Sequence, residues 1–182
     1  MSNSTLTTTD TGLPRGIVLT SEGRAAISER IDRLRIDVLD RLRPHLMGPE
    51  RDERDMAEFE RTLAEVGRLE GVIAAAQPMP ATKGGRGARV QAGSVVEIES
   101  AAASGTAKSR SGKSRTFAPP TVTRTRVRLV HPEEATIDEE RISWDSPLAR
   151  ALLGARAGDI VEVASPRGPW ACTVRRVVAT AG

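Results

Sequence analysis

The sequence has one cysteine, Cys172, no tyrosine, and aromatic side chains at only 2% of its 182 residues. A single thiol excludes an internal disulfide framework and a cysteine-based zinc cage. His45 and His131 are the only imidazoles and are too isolated to be read as catalysts. Four aromatics, two Trp and two Phe, cannot build the stacking platform of a single-strand or RNA-recognition module. The apolar runs are a few residues long, against the roughly 20 a membrane span needs. Residues 1–14 lack the basic-then-apolar order of a signal peptide. A soluble, cytoplasmic protein with no membrane partner is expected. Charge is nearly balanced, 27 Lys+Arg against 24 Asp+Glu, which argues against autonomous base reading. The 38% hydrophobic content suits one or two small domains with modest cores, not a large enzyme interior.

Periodicity divides the chain. Residues 1–15 are rich in Thr and Ser, without pattern, and read as a disordered lead-in. Residues 16–76 carry two apolar stripes. Thr20 is placed to cap a helix with Glu22 in its first turn. Ile27, Ile31, Leu34, Val38 and Leu42 then recur at four- and three-residue steps. Pro44 is expected to stop this helix, and residues 45–51 to connect it to the next. Met56, Phe59, Leu63, Val66, Leu69 and Ile73 form the second stripe. Two narrow stripes joined by a short break predict an antiparallel coiled-coil hairpin, a rod on the order of 35 Å long with its turn at the far end.

Residues 77–90 hold two prolines and three glycines and are expected to be a linker at a domain boundary. Within them, Lys83-Gly84-Gly85-Arg86-Gly87 lacks the spacing of a phosphate-binding loop. In residues 91–182 the period changes to two. Strands are expected over Ser94–Glu99, Thr121–Val130, Ile160–Val163 and Trp170–Val178. Between the first two, residues 100–120 are small, with Lys108, Arg110, Lys113 and Arg115 and no acid, and read as a flexible basic loop. Ser146 as N-cap, Pro147 at the first helical position and Gly154 beyond the end define one short helix. Pro166-Arg167-Gly168 reads as a turn. The fold class is α+β: the helical hairpin, then an antiparallel sheet with one short helix.

The chemistry-bearing cluster surrounds the hairpin turn: Glu50, Asp52, Glu53, Asp55 and Glu58, with Arg51 and Arg54 interleaved. Asp52 and Asp55 are three residues apart and share a face of a helix starting near them. Two such carboxylates suit a hard cation such as Mg²⁺, to which a partner's site would bring the remaining oxygen ligands. The other reading is structural: Asp52 as N-cap, Asp55 completing a capping-box-like pattern, both favoured by the helix dipole. The pattern leaves both open. Arg124, Arg126 and Arg128 alternate against Thr125, Val127 and Leu129, giving either a solvated sheet face or one that meets an acidic surface or nearby nucleic acid.

Three segments carry a family resemblance. Ile142-Ser143-Trp144-Asp145-Ser146-Pro147-Leu148-Ala149-Arg150-Ala151-Leu152-Leu153-Gly154, followed by Gly158-Asp159-Ile160-Val161-Glu162-Val163, closely resembles the C-terminal domain of the bacterial Gre transcript cleavage factors, GreA and GreB. Leu19-Thr20-Ser21-Glu22-Gly23 resembles the entry to that family's first helix, and Glu70-Gly71-Val72-Ile73 the end of its second. The resemblance implies a coiled-coil finger entering the secondary channel of RNA polymerase and an FKBP-like C-terminal domain docked at the channel rim. It places Trp144, Ser146, Pro147 and Arg150 in the partner-binding region. It also implies that Asp52 and Asp55 stand where the family's tip acids hold a Mg²⁺ shared with the polymerase, so that the polymerase cuts its own backtracked RNA. On that reading the chain is a monomer that regulates transcription elongation, is expected near nucleic acid within the elongation complex, binds no cofactor stably, and is not itself an enzyme. This tip departs from the pattern. Asp55 replaces a Glu, Met56 an Asn and Phe59 a Tyr, and Pro44 and Pro49 fall where relatives continue the helix. Some relatives occupy the same channel and inhibit synthesis, so inhibition without cleavage is the alternative. A structural protein whose hairpin merely pairs with another helix is a third.

Overall fold

Thr20 opens the first helix as its side chain predicts. In the computed structural model, which describes residues 13–14, 16–46, 52–101, 122–166 and 168–180, the Thr20 hydroxyl accepts from the Gly23 N–H at 2.8 Å and α1 runs over Ser21–Leu34. Most of the expected lead-in and of the 100–120 loop, and Glu50 and Arg51 of the tip cluster, lie outside the described residues; Leu13, at the end of the lead-in, packs against Val18, Met79, Ala92 and Trp144, so the lead-in is corrected there.

After α1 the chain widens into a π-helical segment, Arg35–Asp40, before α2, Arg41–Leu46. The wider turn moves the apolar stripe by one position: Leu39 is buried where the spacing predicted Val38, and Leu42 follows three residues later. Pro44 lies inside α2, so the expected stop at that residue is corrected. A proline lacks the N–H that would bond four residues back and crowds that carbonyl. Here the residue four back belongs to the π segment, where the ladder is already opened, so the ring is accommodated without ending the helix.

The long helix α3, Glu53–Ala75, starts from Asp52 in extended conformation. Its packed face runs through Thr62, Val66 and Leu69. Leu63, expected in the stripe, lies one residue around the helix and is 52% exposed. Val66 and Leu69 meet Leu19, Ile27, Ile31 and Leu39 in one apolar cluster. Polar contacts link the start of the first helical run to the end of α3 and the reverse. The Arg24 guanidinium donates to the carbonyls of Ile73 at 3.1 Å and Ala76 at 2.8 Å, while Arg41 pairs with Glu58 at 3.3 Å. Arg30–Glu65 and Arg35–Glu70 pairs lie between. Where the runs meet the rest of the chain, two short strands pair in parallel, β1 (Val18–Leu19) with β2 (Gln77–Pro78).

The stretch expected as linker is bonded on both sides. Thr82 and Thr180 exchange two backbone hydrogen bonds, Val90 exchanges two with Gly154 and Ala155, and Met79 and Val90 are buried.

The C-terminal half contains a five-stranded sheet in the order β5-β4-β3-β7-β6. These are β3 (Val95–Ala101), β4 (Val122–Val130), β5 (Arg141–Ser143), β6 (Ile160–Val163) and β7 (Trp170–Val178). The expectation of a wholly antiparallel sheet is corrected at one edge: β5 pairs in parallel with β4, Leu129 opposite Ile142. The chain achieves this by crossing through a 3₁₀ turn, Glu134–Thr136, instead of folding back as a hairpin. One sheet face buries Val96, Ile98, Val127, Leu129, Val174 and Val177 against Ala149 and Leu152 of α4 (Pro147–Leu152).

That 3₁₀ turn joins the two halves. The Glu134 side chain, fully buried, accepts from the Thr20 N–H at 3.0 Å and the Thr20 hydroxyl at 2.5 Å. It occupies the space a side chain at Gly23 would need, since a Cβ there would come within 2.0 Å of the Glu134 carboxylate. By contrast, a Cβ at Gly67 or Gly71 of α3 would meet no atom within 4 Å. Two substitutions of the same chemistry therefore have opposite outcomes. Gly23→Ala is expected to cost about 2 kcal/mol by overpacking, whereas Gly67→Ala is expected to stabilise by about 0.5–1 kcal/mol through helix propensity. Urea unfolding of the two variants against wild type checks both signs.

Candidate functional site

At the distal end of α3, Asp52 is the N-cap: its Oδ1 accepts from the Arg54 N–H at 2.8 Å, and its carbonyl takes the first helical bond from Met56 at 3.1 Å. Glu53 and Asp55 occupy the first turn. Asp52 and Glu53 are exposed and Asp55 is partly buried. The structural reading of Asp52 is thus realised, but it uses one carboxylate oxygen and leaves the other available. Among the described residues no group of three His, Cys, Asp or Glu side chains is arranged to hold a metal. The donor set therefore fits a partial shell for a hard cation and not a complete one. Arg54 lies on the same turn, and Arg41 of α2 is engaged by Glu58.

The other end of the helical runs holds charges that sequence reasoning did not single out. Arg141 of β5 is only 11% exposed and is surrounded by three carboxylates: Glu22 at 2.6 Å, Asp138 at 2.8 Å and Glu134 at 3.6 Å. Arg128 of β4 reaches Glu22 at 3.4 Å. Arg68 of α3 pairs with Glu133, so adjacent glutamates each fasten a different helix to the same turn. Burial pushes the Glu134 carboxyl above its ordinary range, against the opposing pull of its Thr20 bonds and Arg141. The Arg68 hydrogen bond holds Glu133 below its ordinary range. Burial also lowers His131, whose ring meets Trp144 edge-on with centroids 5.3 Å apart. The signal for this junction was Gly23, a helix-breaking residue in a first turn, which marks a close approach. Nothing local marked Glu134 as the group that approaches.

The Ser-Pro helix forms as its caps predict. Ser146 Oγ accepts from the Ala149 N–H at 3.2 Å, Pro147 opens α4, and Gly154 follows at φ +83°. Ser146 is thus a helix cap. Pro147 and Arg150 are exposed, Arg150 standing 3.8 Å from Asp145. Trp144 is a buried anchor: it is 9% exposed, packed with Val18, Met79 and Ala92. Asp52 and Asp55 stand together at the distal end of α3, while Ser146, Pro147 and Arg150 stand together at α4, on the other half of the chain.

The family description "Transcription elongation factor, GreA/GreB, C-term" matches residues 118–178. The transcription elongation factor GreA of Methylococcus capsulatus is 33% identical over 124 residues, covering 64% of this chain and 67% of that protein. GreA of Thermotoga neapolitana is 49% identical over 41 residues, covering 22% of this chain and 26% of that protein. The chain belongs to the GreA/GreB family of transcription elongation factors. Among solved structures, the transcription factor Gfh1 is 25% identical with a TM-score of 0.37, covering 90% of this chain and 97% of that one. The GreA/GreB factor of Nitrosomonas europaea is 18% identical with a TM-score of 0.33, covering 89% and 98%. Overlap that loose sets no geometry for this chain.

The two adjacent glutamates make opposite contributions to stability as pH changes. A carboxyl raised in the folded state binds more protons there than in the unfolded chain, so the Glu134 contribution is full below the ordinary value of about 4.3 and is lost as pH rises through the raised value. A lowered carboxyl does the reverse: the Glu133 contribution is full above about 4.3 and is lost as pH falls through the lowered value. Urea unfolding over a pH series is expected to show Glu134→Gln removing a decline toward neutral pH and Glu133→Gln removing a loss at the acid end. A wild-type-minus-variant difference that is flat with pH in either case contradicts the assignment.

Proposed function

We propose that the chain regulates RNA synthesis by binding bacterial RNA polymerase, with the two helical runs acting as a coiled-coil arm that carries Asp52 and Asp55 into the secondary channel. On this reading α4, with Pro147 and Arg150 exposed, faces the channel rim. It acts as a monomer in the cytoplasm, has no complete active site of its own and is not an enzyme. The observation that carries the proposal is the pairing of the family's C-terminal sequence with two carboxylates on the first turn of a long helix, at the end farthest from the sheet. Asp52 retains a free carboxylate oxygen after capping, and Asp55 lies one turn on. Together they can offer oxygen ligands to an ion completed by the polymerase. A Mg²⁺ so held supplies Lewis-acid activation of water for phosphodiester hydrolysis of backtracked RNA. The chain's own contribution is to place and orient the carboxylates.

Inhibition without cleavage is the second reading, and the tip itself favours it. Asp55 reaches one methylene less far than glutamate, one oxygen of Asp52 is committed to the cap, and Pro44 with the π segment alters the run leading to the tip. An acidic arm that fills the channel without completing the metal shell would slow synthesis.

Stalled, backtracked elongation complexes separate the readings. With wild-type protein, short 3′ RNA fragments are expected. With Asp52→Asn/Asp55→Asn they are expected to fall by at least tenfold, because asparagine caps a helix as well as aspartate but is a poor ligand for a hard cation. Unchanged fragments in the variant would leave the acids a capping role only, and slowed synthesis with no fragments would establish the inhibitor.

A further inference from the structure

The outer face of the five-stranded sheet is occupied by arginine to a degree that alternation alone would not produce. On β4, Arg124 and Arg126 are two residues apart and both exposed. On β7, Arg175 and Arg176 are consecutive and would normally point to opposite faces. They do not, because the β3–β7 register shifts between Glu97 and Ile98: Glu97 pairs with Arg176 while Ile98 pairs with Val174, leaving Arg175 as the extra residue. Val174 and Val177 are buried on either side, and both arginines are exposed. A bulge of this kind re-aims a side chain at the cost of a local break in the ladder. Here it doubles the outward cations on that strand.

The four guanidinium groups line an open groove of about 480 Å³ whose floor is β3. Only part of their charge is neutralised within the chain. Glu99 is shared by Arg124 at 3.1 Å and Arg175 at 3.6 Å. Glu97 lies opposite both Arg126 and Arg176, yet neither of these arginines has a hydrogen bond or ion pair among the described residues.

We infer that this sheet face is a nucleic-acid site that grips the phosphate backbone. Four planar forks on the two strands flanking β3 match a repeating polyanion better than a single carboxylate, and each fork can take two phosphate oxygens. Among the described residues no aromatic side chain lines the groove, so the arginines offer phosphate contacts and no stacking or base reading, and binding is independent of sequence. The inference does not rest on entry into the polymerase channel, and its test uses the isolated chain, so either can fail alone.

Fluorescence anisotropy with a labelled 24-base-pair duplex DNA of arbitrary sequence, and separately a single-stranded RNA of the same length, is measured across a salt series. Each lost phosphate contact removes about 0.9 from the slope of log K against log salt on duplex DNA and about 0.7 on a single strand. Arg126→Gln/Arg176→Gln is expected to lower the duplex slope by about 1.8, an electrostatic loss on the order of 60-fold at 0.1 M salt. Both residues are exposed, and circular dichroism confirms that the fold is retained. Loss on either polymer supports the site, and the ratio of the two affinities names the natural source. The charge-matched control Arg33→Gln/Arg61→Gln, on the helical runs, is expected to leave the slope unchanged. An unchanged slope in the sheet variant, an equal loss in the control, or polyglutamate binding as tightly as the nucleic acid would overturn the inference.

Discussion

The buried carboxylate of Glu134 fixes how the rest of the molecule is arranged. It is a charged group taken wholly out of water, a costly placement unless its oxygens are satisfied. Thr20 meets that need with two donors, its backbone N–H and its hydroxyl. The same hydroxyl accepts from Gly23 and so starts α1. One polar contact therefore satisfies a buried acid, caps a helix and fixes where that helix leaves the C-terminal half. Gly23 is glycine because the glutamate occupies the volume of its missing side chain. The Thr-Ser-Glu-Gly run at residues 20–23 is explained by this contact: Thr20 caps and donates, Glu22 reaches Arg141, and Gly23 makes room.

Elements whose causes are local could be read from the sequence. Thr20, Asp52 and Ser146 all cap the helices that their side chains and spacing indicated, and β6 and β7 fall within the expected bounds. Departures appear wherever the cause lies across the fold. Val38 and Leu63 have the right spacing for the packed face, but the π segment and the rotation of α3 put Leu39 and Thr62 there instead. The parallel β5 and the junction of Arg141 with three acids depend on a crossover that no local pattern marks. At the candidate site, the identity of Asp52 and Asp55 and their place at a helix start were legible. The division of Asp52 between cap and free oxygen was not, because it depends on the Arg54 N–H geometry.

The same distinction applies to the sheet. Alternation on β4 predicted one arginine-bearing face and was right for Val127 and Leu129 on the other. The bulge on β7 follows from pairing with β3, so the consecutive Arg175 and Arg176 gave no sign in sequence that they would share that face. The near balance of total charge also concealed the local excess, since acids concentrated at the tip and the junction offset basic residues gathered on the sheet.

A lever argument connects the junction to the tip. From Arg68, where Glu133 holds α3, to Asp52 is 16 residues, about 24 Å along the helix. A tilt of about 10° at that hold would displace the tip by about 4 Å, far beyond the roughly 0.5 Å that the proposed ligand role would tolerate. A single surface ion pair could not enforce that tolerance. The chain uses several contacts along the base instead: Glu133 on Arg68, Glu134 on Thr20, Arg24 on the last carbonyls of α3, and the β1–β2 pair that ties the chain on either side of the helical runs. Their combined effect is angular. Each alone contributes modestly to stability, but together they leave the helices one exit direction. Asp52 and Asp55 at the far end thereby gain a defined position from contacts made at the base of the helices.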